Sequence, residues 1–260
     1  MTSQLTTEQE LITHAVEIIR QGSHVIALTG AGISTPSGIP DFRSEKDGLW
    51  QQHDPWEVAS LLSFRHAPER FYSWFRPVAA CIAQARPNAA HSTLAKLESV
   101  GYVKAIITQN IDGLHQKAGS QTVHEVHGTM TSLTCVSCYK NYAADGFLES
   151  YVQEGEIPHC HDCGHVLKPN AILLGEQLPV NTFRAAEQNA QLADVLLVVG
   201  SSLEVMPVAG LPMRGLENGA QLIIINHSPT YLDERADVIL RTDIALVLPA
   251  ILEGITHGKS

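Results

Sequence analysis

Four of the five cysteines in this 260-residue chain lie close together and form two Cys-x-x-Cys pairs. Cys135 and Cys138 make the first pair, and Cys160 and Cys163 make the second. Each pair can place two thiolates on one side of a tight turn, and two such turns complete the tetrahedron that zinc prefers. A redox dithiol or disulfides are the alternative use of these cysteines. Because four thiolates leave no coordination position open, the spacing predicts a structural zinc ion and not a catalytic one.

Other potential metal ligands lie near these pairs. His159, His161 and His165 flank the second pair and are rival ligands by position. Four thiols already suffice for zinc, so we expect these histidines to stay outside the metal site. The fifth cysteine, Cys81, lies on the apolar face of a predicted helix, where we expect it to be an ordinary buried residue.

A glycine-rich turn, residues 30–34 (Gly-Ala-Gly-Ile-Ser), follows the short apolar run 25–28. Glycines let the backbone approach a pyrophosphate, and amide groups at the start of a helix donate to it. The usual dinucleotide-binding pattern requires a third glycine where this chain has Thr35, and its acidic residue at the end of a second strand is missing. A tight turn that needs positive φ is therefore the alternative.

Two further polar segments follow this turn along the chain. Residues 38–43 (Gly-Ile-Pro-Asp-Phe-Arg) supply an acid, an aromatic ring and a cation, and residues 108–112 (Thr-Gln-Asn-Ile-Asp) supply amide and carboxylate side chains. Such groups suit ribose hydroxyls and a carboxamide. An Asx turn or a helix cap is the alternative role for Asn110 and Asp112.

One histidine among the 13 in the chain is a candidate for proton transfer. A short predicted strand, residues 123–126, precedes His127, and Gly128 follows it. A histidine in this position can face a cleft at the edge of a sheet, and its pKa near neutrality suits a general base. By composition alone His115 and His124 are competitors.

The elements that must position these residues are a series of nearly continuous apolar runs. Such runs are typical of parallel strands that are covered on both faces. Small or polar residues follow each run, at the edge where ligands bind in an open α/β sheet. We therefore predict an α/β fold with a Rossmann-like doubly wound parallel sheet. The runs are residues 25–28, 103–107, 194–199, 222–225 and 236–240, and helical patterns include residues 90–98 and 244–252.

Two stretches interrupt the alternation of strands and helices. Residues 44–82 are rich in aromatic side chains, and residues 133–167 contain the paired cysteines. We predict that a helical insertion and a zinc module, formed by these two stretches, make up a smaller domain. The Rossmann-like domain would then comprise residues 1–43, 83–132 and 168–260.

Composition and charge exclude several classes of protein. Lysine and arginine number 17 against 27 acidic residues, so the net charge is −10. No basic face is evident for nucleic acid, and an acidic surface attracts cationic partners such as lysine-rich peptides. Apolar runs such as residues 195–199 are far shorter than the roughly 20 residues that span a bilayer. The polar start is unlike a signal peptide, so a cytoplasmic location is expected.

The order and arrangement of these motifs resemble the sirtuins, which are NAD-dependent protein-lysine deacylases. Further motifs that match the family follow along the chain, namely Lys168-Pro-Asn170, Gly175-Glu176 and residues 200–205 with Pro207. The resemblance extends from about residue 20 to residue 255. It implies NAD as co-substrate, one structural zinc ion, and acylated lysine-containing proteins or peptides as substrates. The products would be the free lysine, nicotinamide and O-acyl-ADP-ribose, with acetyl as the expected acyl group.

The resemblance also implies roles for individual residues. His127 would be the general base, while Asn110 and Asp112 would bind the nicotinamide region and orient water. The residues matching the NAD site are Gly30, Ala31, Gly32, Ile33, Asp41, Phe42, Arg43, Gln109, Asn110, Ile111, Asp112, His127, Gly200, Ser201, Ser202, Asn226, His227 and Ile244. The peptide would lie as an added strand between the two domains. The matching segments contain Leu173, Leu174, Gly175, Glu176, Glu204, Val205, Met206 and Pro207.

This chain departs from the sirtuin pattern at several positions. Leu174 stands where phenylalanine is usual, and Ser201 stands where threonine is typical. Desuccinylase-type sirtuins carry a tyrosine with an arginine three residues later, whereas here Tyr72 is followed by Phe75. We therefore expect neutral acyl groups, with Tyr72 and Phe75 as candidates for the acyl pocket. Packing in the core of the small domain is the alternative role for this aromatic cluster.

Two other functions stay open at the level of the sequence. A sirtuin-fold ADP-ribosyltransferase or NAD hydrolase would share the cofactor residues without needing the peptide groove, and the intact segment 200–207 favours the deacylase. A non-catalytic NAD-sensing or peptide-binding module is the third possibility, against which His127, Asn110 and Asp112 argue. We expect a monomer that contacts neither nucleic acid nor membrane.

Overall fold

The computed structural model describes residues 7–41 and 53–257. The strands of these residues are β1 (Val25–Thr29), β2 (Val103–Thr108), β3 (Val123–Glu125), β4 (Ser132–Cys135), β5 (Asn141–Ala143), β6 (Leu167–Pro169), β7 (Val195–Val199), β8 (Gln221–Ile225) and β9 (Val238–Leu240). The α-helices are α1 (Glu8–Gln21), α2 (Pro55–Val58), α3 (Leu61–His66), α4 (Pro68–Gln84), α5 (Ala89–Ser99), α6 (Leu114–Lys117), α7 (Asp145–Glu154), α8 (Val180–Leu192), α9 (Leu211–Glu217) and α10 (Ile244–His257).

The larger sheet has six parallel strands in the order β3-β2-β1-β7-β8-β9. Numbered by their own sequence, these strands follow the order 3-2-1-4-5-6 of the Rossmann fold. The predicted doubly wound sheet is therefore confirmed, and each of the five apolar runs overlaps one of its strands. The chain reverses its direction of winding between β1 and β7, which makes the crevice beyond their carboxyl ends the expected ligand site.

Both faces of this sheet are covered by helices, which explains why its strands are apolar throughout. Every residue of β1 and of β7 is buried. Side chains of α1, α5 and α10 form the core on one face, and those of α8 and α9 form the core on the other. Burial on two faces removes the alternation of polar and apolar residues that a one-sided sheet would show.

Helix α1 begins with the predicted capping box. The backbone amide of Glu10 donates to Oγ1 of Thr7 at 3.3 Å, and the amide of Thr7 donates to the Glu10 carboxylate at 2.7 Å. These bonds satisfy two amides that the helix itself cannot pair. The helix ends before Gly22, whose backbone is extended and not left-handed.

The smaller domain has two parts. Helices α3 and α4 pack with α7 around an aromatic core that includes Phe64, Phe71 and Tyr151. Strands β5, β4 and β6 form a separate antiparallel sheet that carries the cysteine pairs. This sheet runs from Ser132 to Pro169, slightly beyond the predicted limits of 133 and 167.

Cys81 and the lengths of the helices bear on two expectations from the sequence. Cys81 is only partly buried, because it lies at the margin of the apolar face of α4. Within residues 7–41 and 53–257, no helix combines the length and apolar character needed to cross a membrane.

Candidate active site and zinc centre

Three glycines bring the ends of β1 and β7 into contact. The amide of Gly30 donates to the carbonyl of Val199 at 3.1 Å, and the amide of Gly32 donates to that of Gly200 at 2.9 Å. A β-carbon at Gly32 would lie 2.8 Å from the α-carbon of Gly200, and one at Gly200 would lie 2.4 Å from the Ile33 nitrogen. The glycines are therefore needed for this backbone contact.

The side chain of Gln109 lies at the same edge, directly after β2. Its Oε1 accepts a hydrogen bond from Oγ of Ser201 at 3.4 Å, which joins the ends of β2 and β7. Its Nε2 is buried and has no hydrogen-bond partner among the described residues. A buried amide donor costs free energy unless it finds an acceptor, so this group favours a polar ligand in the crevice.

Asp112 and Asn110 are held by the glycine-rich turn. Oγ of Ser34 donates to the Asp112 carboxylate at 2.7 Å, and the amide of Leu114 donates to its other oxygen at 2.9 Å. Nδ2 of Asn110 donates to the carbonyl of Gly30 at 3.0 Å and to Oγ of Ser34 at 3.1 Å. The turn after β1 and the segment after β2 therefore form one hydrogen-bonded unit.

His91 supports this unit from α5. Its Nδ1 lies 3.4 Å from the amide of Asn88, which can only donate, so Nε2 carries the proton in the neutral ring. That nitrogen lies 3.5 Å from Oγ of Ser34. His91 is fully buried, and the long contact makes it a supporting group behind Ser34.

His115 supports the other side of the segment through two threonines. Its Nε2 lies 2.9 Å from Oγ1 of Thr29, which donates to Oγ1 of Thr108 at 2.9 Å. Oγ1 of Thr108 in turn accepts a hydrogen bond from the backbone amide of Asn110 at 3.1 Å. This series of hydroxyl groups fixes the direction in which the chain leaves β2.

Both supporting histidines are neutral at physiological pH. Burial lowers the pKa of His91 to about 4, although the nearby Asp112 carboxylate opposes the shift. Burial also lowers the pKa of His115 to about 3, and the neighbouring His91 adds to that shift. Their ring centroids are 4.9 Å apart in an edge-to-face arrangement.

His127 lies immediately after β3 and is partly exposed. Its Nδ1 is 3.2 Å from the backbone carbonyl of Gln109. A carbonyl can only accept a hydrogen bond, so Nδ1 carries the proton and Nε2 holds the lone pair of the neutral ring. The geometry thus selects the tautomer that makes Nε2 a base.

The backbone around His127 is joined to the segment that follows the smaller sheet. The amide of Ile172 donates to the carbonyl of His127 at 2.8 Å, and the amide of Thr129 donates to that of Asn170 at 3.2 Å. Gly128 lies between these bonds with φ of +74°. The two domains are therefore connected next to the histidine.

The expected peptide-binding segment is fixed by an ion pair. Nζ of Lys168 lies 3.0 Å from the Glu176 carboxylate and also donates to the carbonyls of Pro169 and Ala171. The Glu176 carboxylate accepts the amide of Leu173 at 3.0 Å. Burial lowers the pKa of Lys168, while the charge of Glu176 acts in the opposite direction. The paired charges hold the turn at Gly175.

The second expected peptide-binding segment lies beyond β7. Glu204, Met206 and Pro207 are exposed, and Val205 is partly buried. The carbonyl of Val205 accepts the amide of Ala209 at 2.9 Å, which fixes its direction. The exposure of this segment at the surface is what pairing with an added strand requires.

The expected adenosine residues lie at the end of β8 and at the start of α10. Asn226 is buried. Its side-chain Nδ2 donates to the carbonyl of Ser228, and its backbone amide donates to the carbonyl of Leu240. His227 is exposed, whereas Ile244 is buried in the core beside the sheet.

The other expected NAD residues divide into those inside and outside the described residues. Ala31 and Ile33 belong to a single turn of 3-10 helix after β1, and Asp41 is partly buried. Ile111 is partly buried, and its carbonyl accepts the amide of Met130 at 3.0 Å. Ser202 is partly buried beside Ser201. Phe42 and Arg43 lie outside the described residues.

The four paired cysteines meet in one cluster. Their sulfur atoms all lie within 4.8 Å of one another. The Sγ atoms of Cys135 and Cys163 are 3.4 Å apart, and those of Cys138 and Cys160 are 3.6 Å apart. These distances are too long for a disulfide and near the ~3.8 Å edge of a tetrahedron with Zn–S bonds of ~2.3 Å. The cluster therefore fits a zinc ion, as the spacing predicts.

Tyr72 and Phe75 do not line an open pocket. Both rings are buried in the aromatic core of the small domain, where Phe75 stacks on Phe71 with centroids 5.3 Å apart. The hydroxyl of Tyr72 donates to the carbonyl of Leu167, and burial raises the pKa of Tyr72. The acyl-pocket expectation for these two residues is corrected, because their packing partners already surround them.

The comparison with known proteins agrees with this geometry. A family model described as the Sir2 family matches residues 30–207, which span both the glycine-rich turn and the cysteine cluster. The chain belongs to the Sir2 family. The NAD-dependent protein deacylase 2 of Archaeoglobus fulgidus is 44% identical over 253 residues, which cover 97% of this Sir2 chain and 99% of the relative. The NAD-dependent protein deacetylase of Oceanobacillus iheyensis is 42% identical, covering 85% and 91% respectively.

Solved Sir2 structures share the complete fold. One Sir2 enzyme superposes with a TM-score of 0.89 at 44% identity, over 96% of this chain and 100% of that one. A mutant Sir2 homologue in complex with ADP-ribose superposes with a TM-score of 0.88 at 34% identity, over 97% and 98%. This Sir2 chain is an NAD-dependent protein deacylase with NAD as its co-substrate and a cysteine cluster for structural zinc.

Sequence reasoning missed several residues that build the Sir2 site. Ser34 lies within the quoted glycine-rich turn, but nothing in the sequence indicates that it bonds to Asp112, 78 positions away. His91 follows a helix-capping Asn88, which is a signal for a helix start and not for a site. The roles of Thr29, Thr108 and His115 depend entirely on the parallel register of β1 and β2.

Proposed function

We propose that this Sir2 enzyme removes a small neutral acyl group, acetyl above all, from protein lysine side chains with His127 as the general base. The hydrogen bond between Nδ1 of His127 and the carbonyl of Gln109 carries this assignment. It directs the proton to Nδ1 and leaves Nε2 basic, at the same edge of the sheet as the crevice beyond β1 and β7.

The residues of the crevice fit the co-substrate. Gly30, Gly32 and Gly200 let the ends of β1 and β7 approach each other at the edge where a pyrophosphate would bind, and the side-chain amide of Gln109 needs an acceptor. When bound, NAD would supply the ribose carbon to which the acyl oxygen bonds as nicotinamide leaves, and the hydroxyl group that receives the acyl group. Asn110 and Asp112 are oriented by Ser34 to hold the nicotinamide end.

His127 moves one proton in this scheme. Its Nε2 accepts the proton of the ribose hydroxyl that attacks the acyl carbon, and the resulting imidazolium is stabilised through Nδ1 by the Gln109 carbonyl. Addition of water and departure of the lysine amine complete the transfer, so that free lysine and O-acyl-ADP-ribose are the products. The site needs no metal ion for this step, in keeping with four thiolates that leave no open position at the zinc.

The peptide would bind as a strand between Leu173–Glu176 on one side and Glu204–Pro207 on the other. The ion pair of Lys168 with Glu176 holds the first segment in an extended turn, and the second is exposed. A Sir2 enzyme bound to a myristoylated histone peptide superposes on this chain with a TM-score of 0.82 at 38% identity, over 96% of this chain and 98% of that one. Recognition through backbone hydrogen bonds supports a range of lysine-containing substrates.

The arginine that follows Phe75 along the chain is engaged elsewhere, which supports a neutral acyl group. No cation stands at position 75, and the adjacent Arg76 donates to the carbonyls of Val152 at 3.0 Å and Gln153 at 2.7 Å. Its guanidinium is thus engaged at the carboxyl end of α7. A succinyl carboxylate would therefore lack the arginine that would bind it.

Mass spectrometry of a reaction with NAD and matched acetyl-lysine and succinyl-lysine peptides tests the proposal. We expect free peptide and O-acetyl-ADP-ribose from the acetyl peptide and far slower turnover of the succinyl peptide. A peptide or protein that gains ADP-ribose would instead identify a transferase, and consumption of NAD without peptide turnover would identify a hydrolase. Equal rates for the two peptides would contradict the preference for neutral acyl groups.

A further inference from the structure

Trp56 is a large apolar side chain that the core does not use. It lies in α2 and is 62% exposed. Its backbone is fixed, since its amide donates to the carboxylate of Asp54 at 2.9 Å. The ring carbon Cζ3 lies 3.8 Å from the point where a β-carbon on Gly175 would stand. The indole is therefore in contact distance of a residue in the proposed peptide-binding segment.

Backbone hydrogen bonds hold this neighbourhood together. The amide of Leu174 donates to the carbonyl of Ala59 at 2.9 Å, and the amide of Leu61 donates to the carbonyl of Leu174 at 3.0 Å. Ser60 forms a parallel bridge with Leu174 between these bonds. The chain around α2 and α3 is thus paired with the peptide-binding segment, which holds Trp56 beside it.

Trp56 lies at the rim of the groove and not in its depth. The segment begins at Ile172, which is bonded to His127, and then runs outward. Leu173 is 7% exposed and Leu174 is 36% exposed, so the segment reaches the surface at Leu174, next to Gly175 and the indole. An acyl group must reach His127 at the inner end. The indole at the outer end is better placed for a substrate side chain beside the acyl-lysine.

The charges around the ring indicate which side chain this would be. Asp54 and Glu57 flank Trp56, and all three are exposed. Residues 53–60 contain no lysine or arginine, and the whole chain has a net charge of −10. An exposed aromatic face beside two carboxylates attracts a cation through both cation–π and Coulomb interactions.

We propose that the indole of Trp56 contacts the substrate peptide and stacks on a lysine or arginine side chain adjacent to the acyl-lysine. Trp56 is then a specificity-determining residue that favours acyl-lysines in basic sequences. This inference rests on the proposed function, because it requires the peptide to pair with Leu173–Glu176. Leu174 gives the peptide-binding segment an aliphatic side chain at this point. The aromatic surface beside the segment is instead that of Trp56 in α2.

Steady-state kinetics with four peptides tests this proposal on the full chain. The peptides carry either arginine or its neutral isostere citrulline on both sides of the lysine, and either an acetyl or a butyryl group. We expect Trp56→Ala to raise KM for the arginine peptides roughly two- to five-fold, with kcat unchanged, and to leave the citrulline peptides unaffected. Trp56→Phe should retain part of the preference. Leu62→Ala, at a comparably exposed apolar residue of α3, is the matched control.

The remaining outcomes separate this proposal from the proposed function. An equal rise in KM for arginine and citrulline peptides, an effect that follows acyl length, or no effect would each overturn the role of Trp56. The first would assign a structural role to the ring, and the second would assign it to the acyl site. Failure of the unmodified enzyme to release any acyl group would contradict the proposed function itself, whatever Trp56 does.

Discussion

Gly128 packs so closely against Asn170 that a β-carbon at Gly128 would lie 2.0 Å from the Asn170 carbonyl oxygen. The φ angle of Gly128 is +74°, which residues with a side chain rarely adopt. Gly128 follows the candidate base His127, and Asn170 follows the last strand of the smaller sheet. The contact therefore sets the distance between the histidine and the peptide-binding segment.

Replacement of Gly128 by alanine should disturb both stability and catalysis. The new β-carbon has to displace the backbone of Asn170, so we expect a loss of roughly 3 kcal/mol in the free energy of unfolding and a large fall in kcat/KM. Urea unfolding and peptide turnover measure the two effects. Gly146→Ala is the matched control, since Gly146 lies in α7 with open space around it and should tolerate the methyl group. Wild-type stability of Gly128→Ala would contradict the structure at this point.

His127→Ala should abolish acyl-lysine turnover while the fold and the zinc content persist. Loss of a general base reduces a rate by roughly 10²- to 10⁴-fold. His124→Ala is the control, because His124 belongs to β3 itself and accepts a hydrogen bond from Asn189, away from the crevice. Circular dichroism and zinc analysis establish that each variant is folded. Deacylation by His127→Ala at a rate near that of the unmodified enzyme would eliminate His127 as the base.

Cys160→Ser should release zinc and destabilise the smaller domain. The Sγ of Cys160 lies 3.6 Å from that of Cys138, and removal of one thiolate leaves the tetrahedron incomplete. We expect less than one zinc ion per chain by elemental analysis, and reduced turnover because β6 leads into the peptide-binding segment. Cys81→Ser controls for the loss of a thiol outside the cluster. A variant of Cys160 that keeps both zinc and full activity would be incompatible with this site.

The two buried histidines should make stability fall in mild acid. The pKa values of His91, about 4, and His115, about 3, lie below the ~6.5 of an unfolded histidine. Below pH ~6.5 the unfolded chain therefore binds protons that the folded chain does not. Stability is complete above that pH and decreases by about 1.4 kcal/mol per pH unit for each histidine until the folded pKa is reached.

The pH dependence of urea unfolding measures this effect. Between about pH 6 and pH 5, His115→Gln should show a slope that is smaller by about one proton than that of the unmodified chain. A change in activity alone would not test this point, so the readout is the unfolding free energy. Equal slopes for the variant and the unmodified chain would show that His115 does not remain neutral in the folded state.

The main architecture could be predicted because its causes are local. Continuous apolar runs such as residues 194–199 predict strands that are buried on both faces, and β7 is such a strand. Thr7 and Glu10 predict a capping box within a single helical turn, and α1 begins with it. The two Cys-x-x-Cys pairs are local too, and chemistry leaves few alternatives for four thiolates in one cluster.

The rest of the site depends on contacts between distant parts of the chain. Ser34 bonds to Asp112 across 78 positions, and His91 approaches Ser34 across 57. Trp56 reaches Gly175 only because Leu174 pairs with the residues after α2. For Tyr72 the aromatic pattern is compatible with either a pocket wall or a core. Packing against Tyr151 decides for the core, and no local signal predicts that choice.

The contact among Gly30, Gly32 and Gly200 has a consequence for the evolution of this site. A β-carbon on any one of them would meet backbone atoms of the facing segment, so the requirement for glycine is shared by two segments that lie far apart in the chain. A substitution at one of these glycines cannot be compensated by a second substitution, because the clashes involve backbone atoms. The three glycines should therefore be inherited or lost together, and a descendant that loses one of them would mark a lineage released from selection for this crevice.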